Sequence, residues 1–194
     1  MEELIVSKVR VKILELFLTS KEPLFHVREI VRRVGEEINA VRRELARMEK
    51  YGMVSSEWRA NRRLYQFRAD HPFYPELLAL VTKSTGMGGQ IIKHRNQLGR
   101  IKFAFISTRF AKNIETDSDD VDLLIVGQVI IPELQAILSD EQAKREREIN
   151  YSFMDDAEFQ FRVKRRDPFI TRVLMQPKIM LVGDENQLLE GAVA

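Results

Sequence analysis

The chain of 194 residues is 44% hydrophobic and 31% charged, a globular profile that excludes a disordered or collagen-like polymer. It contains no cysteine, which excludes disulfides and thiolate metal sites, and no apolar run approaches the roughly 20 residues that span a bilayer. The net charge of +2 hides an uneven distribution: residues 1–100 hold 19 Lys/Arg against 12 Asp/Glu, and residues 101–194 hold 12 against 17, which predicts two domains with different partners.

The opening MEELIVSKVR carries acids where a secretory signal would be basic, so no export signal and a cytoplasmic location are expected. Over 2–18, Val6, Val9, Ile13 and Phe17 recur at helical spacing, and Lys21, Glu22 and Pro23 break the pattern. A short helix is predicted over 26–34, headed by His26 and turned by Gly35. A third helix runs over 37–50 and is stopped by Gly52. The stretch MVSSEWRANRRLYQFRAD reads as two strands around Ala60 and Asn61, with Tyr65 and Phe67 on one face.

The third helix sorts its charges by face. At about 100° per residue, Ile38, Val41, Leu45 and Met48 share one side. Asn39, Ala40, Arg43, Arg47 and Lys50 lie opposite, with Glu44 and Glu49 on the flanks. An outward ridge of cations and one amide suits the DNA major groove, where Arg forks onto guanine or phosphate and Asn pairs with adenine. The hairpin tip adds Arg59, Asn61, Arg62 and Arg63, placed to meet phosphates or the minor groove. Residues 26–68 hold 11 Lys/Arg and 6 Asp/Glu.

The segment FHVREIVRRVGEEINAVRRELARMEKYGMV resembles winged helix-turn-helix transcriptional regulators of the small bacterial and archaeal repressor type. That resemblance implies double-stranded DNA as partner, with 1–70 as the DNA-binding domain, and a homodimer on palindromic sites.

Residues 71–96 read as a connector, a short amphipathic helix followed by the glycine tract 86–89, the most flexible stretch on paper. The second domain, 97–194, opens with the buried-strand pattern IKFAFIS. A polar loop, TRFAKNIETDSD, then leads to a strand over 120–127. A helix over 132–139, a strand over 148–154, helices over 156–166 and up to 174, and a strand over 178–183 complete a small α/β unit. Asp120 and Asp122, two apart on the predicted strand, would leave the same face. Paired carboxylates of this kind can hold Mg²⁺ beside a triphosphate.

The stretch FISTRFAKNIETDSDDVDLLIVG resembles the nucleotidyltransferase superfamily that includes DNA polymerase β, over roughly 101–185. The fold class so implied is a two-domain α+β chain, a winged helix followed by a nucleotidyltransferase-like domain. The resemblance places Asp120 and Asp122 as Mg²⁺ ligands and Thr108, Arg109 and Lys112 along a nucleoside triphosphate. Several positions depart from the pattern. Thr108 and Arg109 stand where Gly-Ser is expected, and Asn113 replaces a glycine. Asn150 stands where a third carboxylate is expected, with Glu148 one pleat away. Arg109 is also placed to neutralise Asp120 and Asp122 directly. Two functions follow as expectations. The first is a DNA-binding regulator whose second domain is a degenerate transferase used for ligand sensing or assembly. The second is an active Mg²⁺-dependent enzyme moving a nucleoside monophosphate onto a protein, RNA or small-molecule hydroxyl.

Overall fold

The computed structural model describes residues 7–22, 24–115, 117 and 120–193, with the side chains of 191–193 outside that description. The expected helix positions 2–6, the breaker at 23 and loop positions 116, 118 and 119 lie outside the described residues. The chain forms two compact units, 1–81 and 82–194, and is mixed α/β with two sheets.

In the first unit, helix α1 (Lys8–Thr19) starts at Ser7, whose hydroxyl accepts the Arg10 N–H. It buries Val11, Ile13, Leu14, Phe17 and Leu18. A two-residue strand β1 (Phe25–His26) leads straight into α2 (Val27–Val34). His26 Nδ1 accepts the Arg28 N–H to cap that helix, and Gly35, at φ +66°, closes it by donating to Val31 O. Helix α3 (Ile38–Lys50) is capped by Glu37, whose carboxylate accepts the Asn39 and Ala40 N–H groups at 2.8 and 2.9 Å. Those two backbone donors hold the Glu37 carboxyl below the ordinary carboxylate range, with Arg43 and Arg42 adding to the effect.

Strands β2 (Val54–Arg59) and β3 (Arg62–Phe67) pair antiparallel. Ala60 and Asn61 form the turn between them, both at positive φ, which is the geometry of a two-residue hairpin. The sheet order is β1-β3-β2. Its helix-facing side carries Phe25, Val54 and Tyr65 against Ile13, Ile30, Val41, Leu45 and Met48, all buried.

Within the stretch read as a connector, the expected helix is α4 (Tyr74–Ser84), and the glycine tract opens a second helix, α5 (Gly86–Lys93); the division between units falls inside α4. The tract lies within α5 and two of its positions require glycine: a Cβ on Gly88 would stand 2.2 Å from Thr82 O, and one on Gly89 would stand 2.8 Å from the Ser84 carbonyl carbon.

The second unit is built on β4 (Gly99–Ser107), β5 (Leu123–Val129), β6 (Tyr151–Met154) and β7 (Lys178–Val182), in the order β6-β5-β4-β7. β4 pairs antiparallel with β5 and β7, whereas β5 and β6 are parallel and therefore need a crossover. That crossover is α7 (Ile131–Arg145), longer than the sequence pattern predicts. Phe103, Phe105, Leu124 and Val126 from one sheet face join Met154, Phe159, Val163, Ile170, Val173, Leu174 and Leu188 in a continuous core. These last residues come largely from α8 (Asp156–Lys164), α9 (Pro168–Met175) and α10 (Glu185–Val193).

Between β4 and β5 the expected polar loop opens with one helical turn, α6 (Thr108–Ala111). Asn113, standing where a glycine is expected, takes the left-handed conformation that asparagine tolerates, at φ +54°. Gly127 in β5, at φ +140°, faces the β4 backbone so closely that a Cβ would meet Arg100 O at 2.3 Å. Gly127→Ala is expected to lower the stability of this unit by about 1–3 kcal/mol, read from urea unfolding followed by circular dichroism. An unchanged midpoint would contradict that close approach.

Candidate nucleic-acid interface and carboxylate cluster

On α3 the residues chosen for an outward ridge are outward: Asn39, Arg43, Arg47 and Lys50 are all exposed, as are Arg42 and Ala46. The buried side carries Val41, Leu45 and Met48 as expected, and also Glu44. Glu44 is 6% exposed. Its Oε2 accepts Arg10 Nε and Nη2 of α1, each at 2.9 Å, and its Oε1 accepts Arg47 Nη1 at 3.0 Å. A carboxylate buried on the rear of α3 thus joins it to α1 and draws one ridge arginine sideways.

The hairpin arginines divide in the same way. Arg63 is held by Glu49 at 2.8 and 2.9 Å and donates to Ser56 Oγ at 3.0 Å. Arg59 pairs with Glu57 at 2.6 Å. Among the described residues, Arg42, Arg43, Lys50 and Arg62 form no ion pair. The cationic face therefore centres on Asn39, Arg43 and Lys50, with Arg62 and Asn61 at the hairpin tip. Arg47, Arg59 and Arg63 are engaged within the protein.

Arg42 and Arg28, absent from the sequence-based set, line a concave groove of about 600 Å³ bounded by the start of α2, the hairpin-facing flank of α3 and the hairpin. Helical phase alone places Arg42 on a flank, and Arg28 reads as an ordinary surface residue. Only the hairpin folding beside both of them reveals the groove.

In the second unit, the two aspartates do not share a strand face. The Asp120 N–H donates to Asp117 O, and β5 begins only at Leu123. Asp122 lies just before the strand. Its N–H donates to Asn150 O at 2.7 Å and its own carbonyl accepts Ser107 N–H at 2.9 Å. The Asp122 carboxylate is fully buried. Its Oδ2 accepts Arg147 Nη2 at 3.0 Å and the Asn150 N–H at 3.1 Å. Arg147 also donates to Ile114 O at 3.0 Å. Its guanidinium lies 4.9 Å from the centre of the Phe110 ring, which Arg145 approaches at 4.1 Å.

The expectation that an arginine neutralises the pair holds for Asp120, whose Oδ2 lies 3.4 Å from Arg109 Nη1. For Asp122 the neutralising group is Arg147, not Arg109. Nothing in REREIN marks Arg147 as different from its solvated neighbours; its partner lies 25 residues upstream.

Of the positions expected to contact a triphosphate, Thr108 and Arg109 make hydrogen bonds within the protein. The Thr108 N–H donates to Pro177 O at 2.9 Å. Ser107 Oγ accepts the Phe110 N–H, and Arg109 Nη2 donates to Glu115 O. Lys112 is half-buried. Glu148 is exposed and precedes β6. The Asn150 side chain donates to Asp117 O, and as an amide it supplies no charge. Among the described residues no group of three or more His, Asp or Glu side chains could hold a metal ion. Among the described residues, the Asp122 carboxylate has the Arg147 guanidinium and the Asn150 N–H among its partners, and Asp120 has Arg109 beside it.

Among the described residues, no helix is long and apolar enough to cross a membrane. No protein-family model, curated protein or solved structure matches the chain.

Proposed function

We propose that this protein is a double-stranded-DNA-binding transcriptional regulator of winged-helix type, whose second unit is a nucleotidyltransferase-like domain retained for assembly or ligand sensing rather than catalysis. The observation that carries the reading is the outward face of α3, where Asn39, Arg43 and Lys50 stand together. Each acid on that helix is turned to the rear or spent on the hairpin.

The order α1-β1-α2-α3-β2-β3 with sheet order β1-β3-β2 supports the winged-helix assignment. In that assignment α3 is the reading helix and the β2–β3 hairpin is the wing. In this reading Asn39 and Arg43 meet base edges, while Lys50, Arg62 and the hairpin tip meet phosphates. In the second unit, support for a non-catalytic role comes from Arg147 and Arg109, which neutralise the carboxylates that a transferase would give to metal. Support for self-association comes from the edge strand β6, where Tyr151 and Phe153 stack with substantial exposure.

The test is duplex binding by the full chain, followed by fluorescence anisotropy across salt concentrations. Affinity falling linearly with the logarithm of salt is expected. Failure to bind any duplex at low salt, where non-specific attraction alone should register, would overturn the reading.

A further inference from the structure

The groove beside α3 has a composition that phosphate binding alone does not account for. Trp58, the only tryptophan in the chain, lines it together with Arg28, Arg42, Arg62 and Arg63. Trp58 pairs across the hairpin with Arg63, and Ser56 pairs with Tyr65. With successive side chains alternating between faces, Trp58 therefore shares the helix-facing side of the sheet with buried Val54 and Tyr65. It lies one pleat beyond Ser56, where Glu49 of α3 makes its contact with the hairpin. An aromatic ring on the inner face would ordinarily be covered. Here it remains 72% exposed, lining a space that four arginines share with Val27, Ala46 and Tyr65.

Charge decides what can enter that space. Glu49 is taken up by Arg63 and Ser56, and Arg28, Arg42 and Arg62 form no ion pair among the described residues. An apolar protein segment would have to strip water from three guanidinium groups to reach the indole, at considerable cost. A ligand that is flat and apolar at one end and anionic at the other meets no such penalty. A nucleotide has that form: bases stack on tryptophan, and phosphates pair with guanidinium forks. The groove volume of about 600 Å³ falls within the range of small-ligand sites.

We propose that this groove receives an unstacked nucleotide of the bound DNA, its base against Trp58 and its phosphate among Arg28, Arg42 and Arg62. This rests on the duplex reading of α3 and adds to it. Base faces inside an intact duplex are already stacked and must be pried apart to reach an aromatic ring, whereas an unpaired base is available at little cost. The protein therefore favours a duplex carrying an unpaired nucleotide, at an overhang or a bulge, over the same duplex fully paired.

The experiment compares a blunt hairpin duplex with the same duplex bearing a single-stranded overhang. Full-chain binding is followed by anisotropy and by Trp58 emission. The overhang duplex is expected to bind about 5- to 100-fold tighter, the span that one base stacked on an aromatic ring supplies, and to quench the tryptophan. Trp58→Ala should erase the preference while leaving blunt-duplex affinity in place, and Trp58→Tyr should restore part of it. Equal affinity for the two duplexes, unquenched emission, or quenching by inorganic phosphate alone would overturn the inference while leaving the duplex reading standing. Loss of binding to both duplexes at low salt would instead remove the duplex reading on which it rests.

Discussion

Arg147→Ala is expected to destabilise the second unit by about 3–5 kcal/mol, the cost of breaking a buried ion pair by removing one of its members. The size follows from the surroundings of Asp122. Its carboxylate has no access to solvent, and of the Arg147 and Asn150 donors to Oδ2 only the Asn150 N–H then remains. The same truncation removes the donor to Ile114 O and one guanidinium from the Phe110 ring. Trp58 reports on the other unit, so the measurement is urea unfolding by circular dichroism, or hydrogen exchange in β4 and β5. The double variant Asp122→Asn, Arg147→Ala should recover much of the loss, because a neutral amide in that pocket no longer calls for a counter-charge. A single-variant loss below about 1 kcal/mol would mean that water reaches Asp122. Millimolar Mg²⁺ should leave the parent midpoint where it is, since only a ligand that binds the folded state raises stability. A rise would overturn the self-neutralised arrangement of the two aspartates.

Changing Arg42, Arg43, Lys50 and Arg62 together to glutamine is expected to weaken duplex binding by on the order of 10²–10³-fold at low salt, at about 1 kcal/mol for each charge-assisted hydrogen bond to phosphate or base that the change abolishes. The slope of log affinity against log salt should become shallower by about 2, close to one for each of Lys50 and Arg62, the two placed on duplex phosphates. These side chains are exposed, so Trp58 emission and the unfolding midpoint serve as controls for folding. The same change at Arg47, Arg59 and Arg63 should cost markedly less, although helical phase and hairpin position rank them equally. Each already holds a carboxylate, Glu44, Glu57 or Glu49, and must release it before it can grip a phosphate. Equal losses from the two sets would show that these internal pairs dissolve on binding.

The features that could be read from the sequence are those encoded over short distances. The buried stripe of α3 follows from helical period, and the β2–β3 hairpin follows from its two strands and the Ala60–Asn61 turn. The misreadings share a cause, contacts between residues far apart in the chain. Glycine is a poor helix former by propensity. Yet Gly88 and Gly89 lie within α5, where the backbone of Thr82 and Ser84 at the end of α4 comes too close to admit a side chain. The parity argument for Asp120 and Asp122 assumes a strand that has not yet begun, since β5 starts only at Leu123. The two-residue β1 is too short to show any period. Arg28 and Arg42 acquire a role only through the hairpin that folds beside them.

Glu44 links the orientation of α3 to a residue that touches no ligand in any of these readings. A genetic screen for reduced promoter occupancy should therefore return Arg10 on α1, whose guanidinium holds Glu44 through two nitrogens, alongside the ridge residues. The two classes would separate in the biochemistry. Alleles at the ridge would alter the ionic-strength dependence, whereas alleles at Arg10 would lower occupancy at every ionic strength by the same factor, as a loosened mount lowers the performance of an intact instrument.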